Sequence, residues 1–285
     1  MLAAYPAALS LLAGVLGLLV GSFLNVVIHR LPIMLERRWR AQCQELAGQP
    51  VEPTERYDLV VPRSRCPRCG HRISAIENIP LLSFLWLRGK CAECAQPISW
   101  RYPSVELVSG LLSAAVAWHF GFSLAALGAL LLTWSLIALS FIDYDHQLLP
   151  DDITLPLLWL GLGLNLAGTY VSLSSAVIGA FAGYLSLWLV YQGFKLLTGR
   201  EGMGYGDFKL FAAFGAWLGW QQLPLVILLS SFLGALIGLG FILLRGRDRS
   251  LPIPFGPFLC LAGWVALLWG DTITRAYLQF ARFPA

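Results

Sequence analysis

Sixteen of the 285 residues are acidic, few enough to be weighed one at a time. Two groups of them stand where apolar runs end or begin. The first is Phe141-Ile142-Asp143-Tyr144-Asp145-His146-Gln147-Leu148-Leu149-Pro150-Asp151-Asp152, and the second is Gly202-Met203-Gly204-Tyr205-Gly206-Asp207-Phe208-Lys209. Singly, each aspartate reads as a helix cap or a solvated charge: Asp151 or Asp152 suits the start of one apolar run, and Asp207 the start of another. Ionisable groups at membrane depth are costly, however, and mark function. Two carboxylates close together in a poorly solvated site cannot both ionise easily, so the pair shares a proton. The ionised member can take a proton from water while the protonated member hydrogen-bonds a carbonyl, the requirement for aspartyl hydrolysis of a peptide bond. Asp207 supplies one member, and Asp143 and Asp145 are equally placed to supply the other. Gly204 and Gly206 leave little bulk before Asp207, so an extended peptide can approach the backbone there. A nucleotide loop is excluded by context, since no strand precedes the glycines and no Lys-Ser/Thr follows.

The second cluster is sulfur. Cys66-Pro-Arg-Cys69 and Cys91-Ala-Glu-Cys94 are separated by 21 residues. Each pair makes a tight turn that aims two thiolates at one point, and two such turns supply the four sulfurs of a closed tetrahedral zinc site. Arg65, Arg68, Arg72 and Lys90 flank the turns and offset the excess negative charge. With no open position, the zinc is expected to staple the fold. His71 is a conceivable substitute ligand, but four cysteines already fill the site. Cys43 and Cys260 stand alone.

These residues must be positioned by an unusual chain. It is 57% hydrophobic and 13% charged, against about 45–50% and about 25% in an ordinary soluble domain. That excludes a disordered protein, a nucleic-acid-binding domain and a typical cytosolic enzyme. Runs long enough to count as candidate spans cover 9–28, 104–120, 124–142, 153–171, 174–194, 208–220, 223–244 and 255–269, about eight in all. The sixth is short. Charge supports keeping it: of 20 Lys and Arg, 12 lie in residues 29–101, three from the end of the fifth run to the start of the sixth (Lys195, Arg200 and Lys209) and three between the seventh and eighth. Eighteen therefore share one face if all eight cross, and positive loops stay cytosolic. The expected fold is an all-α polytopic membrane protein with a small zinc-bound cytosolic loop subdomain, both termini lying outside. A first helix over 1–28, a loop subdomain over 29–102 and a helix bundle over 103–285 are the expected parts. Cytosolic placement also argues against disulfides among the four cysteines.

Taken together, the chain resembles the type IV prepilin peptidase family, bacterial leader peptidases that are also N-methyltransferases. The resemblance runs over essentially the whole length. It rests on Gly21-Ser22-Phe23-Leu24-Asn25-Val26-Val27-Ile28-His29-Arg30-Leu31-Pro32, the double CxxC loop, Asp143 with Leu149-Pro150-Asp151, and the Gly-x-Gly-Asp-x-Lys run ending at Lys209. That last run is also similar to one in presenilin-type intramembrane proteases. The resemblance implies a bacterial inner-membrane enzyme that removes the basic leader of type IV prepilins and type II secretion pseudopilins on the cytosolic side. It implies methylation of the new N-terminal residue, often Phe, from S-adenosylmethionine, for which no residues stand out. It also places the catalytic pair on Asp143 and Asp207. The rival classes are a transporter, which would want charges near the bilayer midplane and inverted repeats, and a non-catalytic scaffold of a pilus or secretion assembly, which would not need two aspartates at one depth.

Overall fold

The structure, a computed structural model, describes residues 6–50, 55–245 and 254–281, without the side chains of 241–245. Arg247, Arg249 and Ala285, which bear on the expected topology, lie outside the described residues. Every regular element among the described residues is helical, with two isolated β-bridges and no strand. The chain forms two compact units, 1–122 and 123–285. The helix Arg101–Phe120 lies in the first of them.

In the first unit, α1 (Pro6–Leu46) packs along α3 (Arg101–Phe120), with the five-residue α2 (Leu82–Trp86) in the loop between them. The apolar run of the sequence stops at Ile28, yet α1 continues unbroken through Pro32 to Leu46. Past Arg30 the sequence is rich in Leu, Arg, Glu and Gln, all good helix formers. The backbones of α1 and α3 touch through small residues. A Cβ on Gly21 would stand 2.7 Å from the Glu106 backbone, and the Ser109 hydroxyl donates to the Gly17 carbonyl at 2.6 Å. Close packing of this kind joins helices where lipid removes the hydrophobic drive.

The second unit holds α4 (Leu124–His146), α5 (Asp151–Leu166), α6 (Leu173–Thr198), α7 (Tyr205–Leu218), α8 (Leu223–Arg245) and α9 (Gly256–Phe280), with a short 3₁₀ turn at Trp220–Gln222. At its centre is α7, packed against α5, α6, α8 and α9. From Leu210 to Leu218 every residue is buried. Glycines set the distance: Gly179 and Gly183 on α6 lie against the backbone of Phe211–Gly215, leaving no space for a Cβ. Polar ties fix the far end. Asn165 donates to the carbonyls of Ala216 and Trp217 and accepts from the amides of Tyr170 and Val171, and the Trp217 indole donates to Leu157 at 2.8 Å.

Among the described residues, five helices are long and apolar enough to cross a membrane: α1, α4, α6, the Trp220–Gly240 segment and α9. The other three runs read from the sequence are α3, α5 and α7, with 20, 16 and 14 residues. At 1.5 Å per residue α7 is only about 21 Å long. A helix sheathed by protein need not match the hydrocarbon thickness, which is why its run is short. The molecule is an all-α membrane protein.

Candidate functional site

The acidic groups sort by burial. Asp143 is 6% exposed and Asp207 8%, whereas Asp145, Asp151 and Asp152 are exposed. Asp143 closes α4, which ends one turn later at Gln147 in a left-handed conformation whose N–H returns to the Asp143 carbonyl at 2.9 Å. The next stop is Leu149-Pro150, where proline keeps its predecessor extended. Asp207 lies in the first turn of α7, behind the extended N-cap Gly204. Neither Asp207 nor Asp151 is a cap, since the N-cap positions are Gly204 and Pro150. Asp143 and Asp207 are within electrostatic reach of one another.

Three contacts hold this region. The backbone N–H of Gly256, at the start of α9, donates to Asp143 Oδ2 at 2.9 Å. A Cβ at Gly256 would stand 2.6 Å from that oxygen, so only glycine fits. A Cβ at Gly206 would lie 2.7 Å from Leu149 Cβ; its bareness serves packing against Leu149, and Gly204 is the open one. Lys209 Nζ meets both oxygens of Asp151 at 2.7 Å, tying α7 to α5. Sequence reasoning overlooked Gly256. Its signal was the Phe255-Gly256-Pro257 triplet, where a proline at the second helical position marks a helix start and a glycine before it marks a close approach.

In the N-terminal unit the four cysteines converge, each pair in the same turn. Cys66 N–H donates to His71 and Gly70 N–H back to Cys66; Cys91 N–H donates to Gln96 and Ala95 N–H back to Cys91. Gly70 and Ala95 occupy the same left-handed position, at φ 75° and 54°. All four Sγ atoms lie within 4.8 Å of one another, with Cys66 to Cys94 at 3.8 Å and Cys69 to Cys91 at 3.9 Å. Zn–S bonds of about 2.3 Å require a tetrahedron edge of about 3.8 Å, so the cluster can hold a metal ion of that kind. The amides of Cys69 and then Arg68 hold the free Cys66 thiol below the usual thiol range. His71 does not point at the sulfurs. Its Nε2 lies 3.0 Å from Glu77 and its Nδ1 2.8 Å from Glu93, bracing the two turns against each other. Glu77 itself is held down to about 2, chiefly by the Ser74 amide and hydroxyl and then by His71.

Beside the turns is a cleft of about 290 Å³ lined by Val60, Arg63, Ser64, Ile73, Ser74, Ala75 and Asn78. Its guanidinium, two hydroxyls and amide, set among Val60 and Ile73, form a donor set for a small polar ligand with an apolar part.

The two units coincide with two family matches. Residues 15–120 match the Bacterial Peptidase A24 N-terminal domain, and residues 130–239 match the Type IV leader peptidase family. The chain is 62% identical over 282 residues to a prepilin leader peptidase/N-methyltransferase of Stutzerimonas stutzeri, covering 99% of this chain and 98% of that protein. Its identity to the protein of the same name from Pseudomonas aeruginosa is 60% over 283 residues, again 99% and 98%. For the Aeromonas hydrophila protein it is 64% over 263 residues, 92% and 91%. No solved structure matches the chain. On these grounds the chain belongs to the type IV leader peptidase family.

Proposed function

We propose that the protein removes the leader peptide of type IV prepilins and type II secretion pseudopilins at the cytosolic face of the bacterial inner membrane, and then methylates the exposed N-terminal residue. The observation that carries the cleavage reading is selective burial: of the five aspartates in the two motifs, Asp143 and Asp207 alone are buried. In this reading they are the catalytic pair. The Gly256 N–H and the positive end of α9 favour the anion on Asp143. Asp143 then takes the proton from the attacking water, and Asp207, protonated, hydrogen-bonds the scissile carbonyl. Gly204, open above Asp207, lets the extended substrate backbone come close.

Methylation belongs to the N-terminal unit. Cys66, Cys69, Cys91 and Cys94 hold a structural zinc ion that fixes the loop around the cleft. S-adenosylmethionine, when bound, supplies an electrophilic methyl group, and Arg63, Ser64, Ser74 and Asn78 would hold it. The long loop is cytosolic and both termini are periplasmic in this reading, which the distribution of basic residues supports. Co-expression with a prepilin, read by mass spectrometry for leader loss and one added methyl group, tests the reading. An uncut prepilin in the presence of folded protein would overturn it.

A further inference from the structure

The N-terminal unit buries one carboxylate that neither the metal cluster nor the aspartates use. Glu106, on the second turn of α3, is 9% exposed. Its Oε2 accepts the Leu81 N–H at 2.9 Å, and the Ser22 hydroxyl of α1 also hydrogen-bonds to it. Leu81 has φ 58°, a left-handed conformation unfavourable for a leucine, and it aims the amide at the carboxylate. Both donors are neutral. The unit is rich in arginine, yet among the described residues none forms an ion pair with Glu106. A buried carboxylate without a counter-charge is costly, and one with two donors still has room to accept more. Ser22 Oγ also lies 3.3 Å from Asn78 Oδ1, an alternative acceptor for the same proton, and Asn78 lines the cleft. The carboxylate is therefore one hydroxyl and one amide away from the open cleft.

We propose that Glu106 receives the α-ammonium of the substrate's new N-terminal residue and is the base for its methylation, an inference that rests on the methyltransferase reading. An α-amine of pKa about 7.7–8.0 is mostly protonated at neutral pH, and an ammonium nitrogen has no lone pair for attack. Away from bulk water, carboxylate and ammonium exchange a proton more readily, because burial disfavours both charges. Glu106 takes one N–H proton. The freed lone pair attacks the methyl carbon of the sulfonium donor; the N–C bond forms as the C–S bond breaks, and the C–S electron pair stays on sulfur as a neutral thioether. The proton then leaves Glu106 for solvent.

Glu106→Gln keeps the size and the acceptor for Leu81 while removing charge and basicity. With a prepilin and S-adenosylmethionine, the variant should release leader within about twofold of the wild type, whereas methylated product should fall by at least about 100-fold. Methylation at the wild-type rate overturns the inference. A second measurement needs no variant. A pilin peptide with a free N-terminal Phe, coupled to the wild-type protein by a zero-length carbodiimide and mapped by mass spectrometry, should attach at Glu106. Attachment only at other acidic residues also overturns it. If wild-type protein cuts prepilin but never methylates it, the methyltransferase reading fails instead, and the two failures are distinct.

Discussion

At the residue scale, the two aspartates have different supports and should fail alike. Asp143→Asn and Asp207→Asn should each reduce leader release by several orders of magnitude, because an amide can neither accept the water proton nor share one with its partner. The double variant should be little worse than either single one if the pair acts as a unit, as the proposed function has it. Asp145→Asn should stay near wild-type activity, its side chain being exposed. Timed mass spectrometry of a prepilin measures all four; a dead Asp145→Asn beside an active Asp143→Asn would reverse the assignment. Gly256→Ala should be nearly as damaging as the aspartate changes while metal content stays intact, because the added methyl would stand 2.6 Å from Asp143 Oδ2. The sequence alone could not separate Asp143 from Asp145. Two residues apart on a helix, they point in directions about 200° apart, and only the packing of α9 decides which is inward.

At the element scale, the repeated cysteine turns carry an inequality. Gly70 takes its left-handed position freely, but Ala95 takes the same position against its Cβ. Ala95→Gly should therefore raise the stability of the loop by up to about 1 kcal/mol, with chain flexibility offsetting part of the gain; resistance of the loop to limited proteolysis is the measurement. The reverse change, Gly70→Ala, should weaken it. Cys66→Ser should abolish metal binding, as should chelation, and elemental analysis of purified protein is expected to show one zinc per wild-type chain and none in the variant. The spacing of the cysteines made this cluster readable in advance, because four ligands in two short turns are a local signal. The continuation of α1 to Leu46 was not readable in that way: a helix leaving an apolar environment loses its hydrophobic signature while keeping its hydrogen bonds. Likewise the run of α7 is short for a span, because length rules assume lipid contact and α7 is wrapped in protein.

At the scale of the whole molecule, the proposed function assigns the two chemistries to different units, and perturbations should then divide along the same line. Removing the metal should suppress methylation at a lower chelator concentration than it suppresses cleavage, since Asp143 and Asp207 belong to a unit without the four clustered cysteines. Both activities on one prepilin, followed across a chelator series, decide the point; cleavage lost first would contradict it. The charge pattern makes a separate demand. A cysteine introduced at Arg247 should resist an impermeant thiol reagent added outside intact cells, and one in the C-terminal tail should react. The polar loop stands out in the sequence, but the pairing of α3 with α1 depends on the fit of Gly17 and Gly21 against Ser109 and Glu106, and such a fit between distant small residues leaves no trace in hydropathy.

The bond from Gly256 to Asp143 has one more property. Its donor is a main-chain amide, common to nineteen of the twenty amino acids, so no ordinary side-chain scan can delete it. Substitution at position 256 reports steric intrusion, and proline there would remove the N–H only by also bringing a ring against the carboxylate. The electrostatic contribution of this single proton is therefore invisible to conventional genetics. Replacing the 255–256 peptide link by an ester, through a hydroxy acid built in at position 256, would remove the hydrogen and leave the shape.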